Sequence, residues 1–399
     1  MLEPVLDIVN ARVEQAAPPA WCERRGWAEF LLSLSDTELL ACEAHGLEVG
    51  LRGMTDAPRE LRALAESVRR VATLPRLHAR AVELPQAALL GVSARKREQL
   101  GAVLALASPL AAQAARVVDV GAGSGHLARL SAEFFQRETL ALEREASRVQ
   151  TAERRSQKRA ESVGPLDVRF SVSDVGREKL ELRSTDFALG LHACGELGDR
   201  LVLAAAEAAC DLLLCSCCFQ KLSGTERAML SRAGGSVRLR KSVLGLANLT
   251  LRAEGVEASQ HDNLRGRLMR LALRRLLQAR GLSLRAGEEM QGVNRRRAQA
   301  GLSDLANQVL AERRMPPATP AELHMHADAA EREHAAMRRL SLPRNLLARL
   351  VEVAIVLDRA ALLEESGQSV VVAELFEERV TPRNTGLFAT ADPRRLPHC

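Results

Sequence analysis

Tyrosine is absent from this 399-residue chain and all aromatics together make up only 3% of it, so leucine and alanine must fill its core. Both residues enter helices at little cost, which favours a helix-rich fold. No uncharged run long enough to cross a bilayer occurs, so no membrane span is expected. The opening Met1-Leu-Glu-Pro-Val-Leu-Asp7 carries acids and no apolar stretch of signal-peptide length. The eight cysteines are unevenly spaced, four of them between Cys210 and Cys218, unlike a secreted disulfide framework. A reducing cytoplasm is the expected setting; the oligomeric state is open, with a monomer the simpler expectation.

What is present is ordinary for a globular protein. An apolar fraction of 47% over 399 residues is enough for two or three lobes with sizeable cores. A net charge of +6 points mildly towards an acidic partner.

The most informative stretch is Val117-Val-Asp-Val-Gly-Ala-Gly-Ser-Gly-His126, a β-branched run ending in glycines at 121, 123 and 125. It reads as a buried strand turning sharply into a helix, whose first amides could receive a charged or polar group of a nucleotide-like cofactor. Asp119 stands just before the turn. A second strand, Thr139–Leu142, ends in Glu143, at the distance where nucleoside sites place an acid for ribose hydroxyls. A third, from Asp167, leaves Asp174 at its end, where it could meet an adenine amino group or cap a turn.

Two further strands run into polar clusters. Phe187–Leu191 leads into His192-Ala-Cys-Gly195, and Asp211–Cys215 leads into Ser216-Cys-Cys-Phe-Gln-Lys221. Strands alternating with helices at this spacing imply a parallel sheet, whose ligands bind at the carboxyl ends of the strands. His192, whose unperturbed pKa lies near neutrality, is the natural group to take a proton from a substrate, or it merely hydrogen-bonds at its strand end. Cys194, Cys217 and Cys218 with His192 could hold a metal, but consecutive Cys217 and Cys218 on an extended strand would face opposite ways, so no metal is expected.

Around this core, residues 1–92 read as a helical N-terminal lobe with Trp21 and Trp27 in its packing. Ser93-Ala-Arg-Lys-Arg-Glu-Gln-Leu100 opens the helix leading into the first strand. Its cations read as a solvated first turn, with proximity to a ligand as the alternative. Residues 93–245 form the first part of an α/β core and 343–399 its completion, with a helix and two final strands. Between them, 246–342 is an arginine-rich helical insertion: from Arg265 to Arg314, twelve arginines face four acids, an excess of +8. The triple Arg295-Arg-Arg297 would suit phosphate contacts, although this segment has no aromatics to stack bases.

Four elements together carry a resemblance: Asp119-Val-Gly-Ala-Gly-Ser-Gly125, Leu191-His-Ala-Cys-Gly195, Cys217-Cys-Phe219 and Pro382-Arg-Asn384. They resemble the methyltransferase-like proteins related to the ribosomal RNA adenine dimethylase domain-containing protein. The His-x-Cys-Gly element and the cysteine pair are more distantly similar to the tRNA acceptor-stem 2′-O-methyltransferase. The resemblance implies a class I methyltransferase of Rossmann-like α/β fold, its seven-stranded sheet ending in an antiparallel strand. It implies S-adenosylmethionine (SAM) on Asp119, Gly121, Gly123, Gly125, Glu143, Asp174 and His192, with His192 and Cys194 near the chemistry. Cys217, Cys218, Phe219, Arg383 and Asn384 are the expected substrate side. RNA, met through Arg265–Arg314, is the expected acceptor; a protein, a small molecule or a non-catalytic RNA-binding role are the alternatives. No Asn-Pro-Pro-Tyr follows the fourth strand, which weighs against methylation of an adenine amino group.

Overall fold

The computed structural model describes residues 2–77, 81–89, 91–249, 257–285, 287–294, 297, 301–377, 379–381 and 383–397. Its centre is a seven-stranded sheet built from β1 (Arg116–Val120), β2 (Glu138–Glu143), β3 (Val168–Val172), β4 (Asp186–Ala193), β5 (Asp211–Ser216), β8 (Ser369–Glu374) and β9 (Thr385–Thr390). Two short strands, β6 (Glu226–Ala228) and β7 (Arg238–Arg240), pair separately as a hairpin.

The strand order is β3-β2-β1-β4-β5-β9-β8. The first five are mutually parallel, and β9 runs antiparallel to both its neighbours, β5 and β8. This is the class I methyltransferase sheet, with the last strand of the chain inserted between the fifth and sixth. Strands with helices on both faces read as continuous apolar runs, and β1 and β5 are buried along their whole length. On one face the helix Ala94–Ala111 packs Leu100, Val103, Leu104 and Leu110 against Val117, Phe187, Leu189, Leu213 and Phe388. The order of pairing reverses direction between β1 and β4. An open α/β sheet has its ligand crevice at such a switch, outside the carboxyl ends of the strands.

By internal contacts the chain forms two compact units. The first comprises residues 1–6, 68–251 and 347–399, and holds the sheet. The second comprises residues 7–67 and 252–346. The division thus differs from separate lobes at 1–92 and 246–342: helices far apart in sequence share the second unit, and 68–92 falls in the unit that holds the sheet. In the second unit Trp21 and Trp27 are each 2% exposed and meet edge to face at 6.3 Å, so they are core. Its arginines are substantially engaged: Arg275 pairs with Glu333, Arg280 with Glu322 and Arg274 with Glu289. Arg295 and Arg296 of the triple arginine lie outside the described residues.

Candidate active site

At the end of β1 the backbone takes positive φ at Gly121, Gly123 and Gly125 before the helix His126–Phe135 begins. Gly123 matters most. A Cβ there would meet nothing within 4 Å, so its backbone borders open space at the rim of the sheet. Its amide donates to Glu143 Oε2 at 2.9 Å, and the Glu145 amide donates to Oε1 at 3.1 Å. A carboxylate offers about four lone-pair sites, so two remain for further donors. An open glycine edge beside a carboxylate with unused acceptor capacity fits the ribose of a nucleoside.

The other two acids sit differently. Asp119 is 2% exposed, accepts from the Ala128 amide and leaves Oδ2 without a partner. Burial raises its carboxyl to about 7 against the pull of Lys96. Its bond to Ala128 ties the end of β1 to the helix that follows the glycine turn. Asp174 accepts from the Gly176 amide at 3.1 Å in a tight turn, half-exposed beside Arg177. The Ser173 amide donates to the Glu143 carbonyl oxygen, which keeps the ends of β2 and β3 together.

Across the switch, the pairing of β4 with β5 shifts register between Leu191 and Ala193. His192 lies there with φ 67°, a left-handed conformation that costs a non-glycine residue ~1 kcal/mol or more. Its Nε2 lies 3.0 Å from Gln99 Oε1, a contact satisfied by the Nε2–H tautomer, which leaves the lone pair on Nδ1. Burial first, then the charges of Lys96, Arg383 and Arg95, lower His192 to about 4. The imidazole is therefore neutral at physiological pH, a proton acceptor of low basicity.

Beyond β4, Cys194, Cys217 and Cys218 converge, with their sulfurs within 4.8 Å of one another. Extended alternation does not apply to Cys217 and Cys218, because β5 ends at Ser216 and the chain then turns. Cys194 Sγ lies 2.7 Å from Cys217 Sγ, and both face the His192 carbonyl oxygen. The close contact with Cys217, then Lys221, holds the Cys194 thiol down, while the same contact and burial push Cys217 up.

A buried ion network supports both loops. Arg359, fully buried, donates to the Gly195 carbonyl oxygen, to Ser216 Oγ and to Asp199. Asp199 also accepts from Arg227, which in turn reaches Asp358. Phe219 is buried with the Arg359 guanidinium 5.5 Å from its ring centroid, so it belongs to this support. Asn384 is also buried, donating from Nδ2 to the Phe376 carbonyl oxygen and holding the β8–β9 connection. Arg383 lies near enough to His192 to depress its basicity; Pro382 lies outside the described residues.

The structure thus brings the glycine turn, Glu143, His192 and the cysteines to one edge of the sheet. It adds Lys96 and Gln99, whose helix turn the residue pattern predicts to be solvated. Lys96 is half-buried beside Asp119 and Cys217, and burial lowers its pKa. Gln99 is 3% exposed. Their only sequence signal was a cation cluster capped by Ser93, whose side chain accepts from the Lys96 amide.

Residues 95–225 match the family model of a methyltransferase domain, a third of the chain. A search of the curated proteins finds no match. Among solved structures, geranyl diphosphate C-methyltransferase from Streptomyces coelicolor A3(2) is similar at 12% identity, over 38% of this chain and 64% of that one, with a TM-score of 0.24. Magnesium protoporphyrin IX methyltransferase from Synechocystis PCC 6803, with bound S-adenosylhomocysteine (SAH), is similar at 16% identity over 38% and 64%, with a TM-score of 0.25. The chain spans less than two thirds of either protein, and likenesses at these scores carry no argument about activity. The family match and the strand order agree that the chain contains a class I methyltransferase domain, for which SAM is the cofactor.

Proposed function

We propose that the chain transfers a methyl group from SAM to RNA. The observation that carries the donor side is the open Gly123 edge with Glu143 beside it at the β1/β4 switch. Bound there, SAM would supply an electrophilic methyl on a sulfonium sulfur. Gly121, Gly123, Gly125 and Glu143 would hold the nucleoside, Asp119 would keep the turn in shape and Asp174 would keep the adjoining β3 end in place. Methyl transfer needs an in-line approach and, for a neutral acceptor, removal of a proton. His192 Nδ1, with its ring fixed by Gln99, is the acceptor for that proton. Cys194, Cys217 and Cys218 would border the same rim.

RNA is supported by a groove of about 1060 Å³ within the second unit, lined in part by Arg274, Arg275, Arg285 and Arg332. The ion pairs of Arg274 and Arg275 with Glu289 and Glu333 favour a second reading, a protein or small-molecule acceptor. A kinship with the methyltransferase-like proteins related to the ribosomal RNA adenine dimethylase domain-containing protein rests on the His-x-Cys-Gly and Cys-Cys-Phe elements. A monomer in the cytoplasm belongs to the same reading. The test is transfer of tritiated methyl from SAM to cell extract, with RNase and protease treatments run separately. Label lost to RNase is expected; label that survives RNase but not protease would overturn the RNA assignment.

A further inference from the structure

We propose that Cys194, Cys217 and Cys218 form a binding site for one zinc ion, held by three thiolates beside the methyl-transfer rim. Thiolates select soft cations, and three protein ligands are the number that leaves a tetrahedral zinc with one open position. At a Zn–S distance of about 2.3 Å, tetrahedral geometry sets the sulfurs about 3.8 Å apart. The three sulfurs already lie within 4.8 Å of each other. The 2.7 Å separation of Cys194 and Cys217 is closer than two unbonded sulfurs rest. Around an ion that pair opens by about 1 Å, which small side-chain rotations supply.

The surroundings favour the charge this requires. Three thiols binding Zn²⁺ release three protons to solvent and leave a complex of charge −1, or two protons where one cysteine is already ionised. Lys221 lies three residues beyond Cys218 on the same loop, so a cation stands near the cluster. Cys194 and Cys218 are half-exposed, so an ion has a path in and its fourth position opens to solvent.

The loops are also held in place before any ion arrives. Arg359 ties Gly195 to Ser216, and the Glu196 amide donates to the Lys221 carbonyl oxygen at 3.0 Å. The residues bracketing the cluster are thereby fixed on both sides. Metal affinity rises when the loops that carry the ligands are already in place.

The test uses untagged full-length protein, reduced, stripped with chelator, dialysed against zinc and analysed for metal. About one zinc per chain is expected for wild type and for Cys210→Ala, and under about a fifth for Cys194→Ser/Cys217→Ser. Cobalt loading of wild type should give a thiolate-to-metal charge-transfer band in the near ultraviolet, a readout independent of whether the double variant folds. Less than half an equivalent of zinc in wild type with a native circular dichroism spectrum would overturn the site. So would equal zinc in wild type and a folded double variant, or a Cys194–Cys217 disulfide in protein purified without reductant. Calorimetry with SAM on the same samples reports the donor site separately.

Discussion

Gly195 presses against Lys221 so closely that a Cβ on the glycine would overlap the Lys221 carbonyl oxygen. The two residues follow different strands, β4 and β5, and their contact sets the spacing of the two cysteine-bearing loops. The Gly195 backbone, at φ 53° and ψ −122°, is also open only to glycine.

Gly195→Ala therefore meets both a forbidden conformation and a backbone clash. We expect a loss of ~3 kcal/mol, read as a fall of roughly 6–12 °C in melting temperature. A fall under about 2 °C would show that the Lys221 loop gives way freely and that the two loops are not rigidly joined.

Glu143 contributes a charged acceptor at the glycine edge. Glu143→Gln keeps an oxygen for the Gly123 amide but removes the charge that strengthens hydrogen bonds to ribose hydroxyls. SAM should bind about tenfold more weakly by calorimetry. Gly123→Arg, which fills the open space in front of the turn, should abolish the binding heat. Unchanged affinity in both variants would place the donor elsewhere.

Asp119 carries a pH dependence. A carboxyl whose folded pKa is raised from 3.8 to about 7 adds stability while protonated, and that stability is lost as pH climbs through this window. Asp119→Asn should therefore gain on wild type by roughly 2–3 kcal/mol between pH 5 and pH 8, read from urea unfolding. His192, lowered to about 4, destabilises the fold as pH falls below 6.5. It is common to both proteins and cancels in the difference. A difference that stays flat across this range would mean that Lys96 keeps Asp119 ionised throughout.

Local pattern made the glycine turn and its neighbouring acid legible. The β-branched run before Gly121, Gly123 and Gly125 dictates strand, turn and helix through near-neighbour sterics. The spacing to Glu143 follows from one helix and one strand of ordinary length, and the strands at β4, β5, β8 and β9 were readable from their apolar runs.

Near-neighbour pattern sets the class of sheet, the glycine turn and the edge on which His192 and the cysteines stand. Tertiary structure decided what depends on distant partners. His192 meets Gln99 from 93 residues upstream, Cys194 meets Cys217 from 23 downstream, and Arg359 reaches Gly195 from 164 away. Lys96 is half-buried because the fold sets it beside Asp119, Cys215 and Cys217, all distant in sequence. Cys217 and Cys218 share a cluster because the strand stops one residue before them. Residues 7–67 pack with 252–346 because each segment has apolar faces that it cannot bury alone. Periodicity shows that a face must be covered; only the folded chain shows which segment covers it.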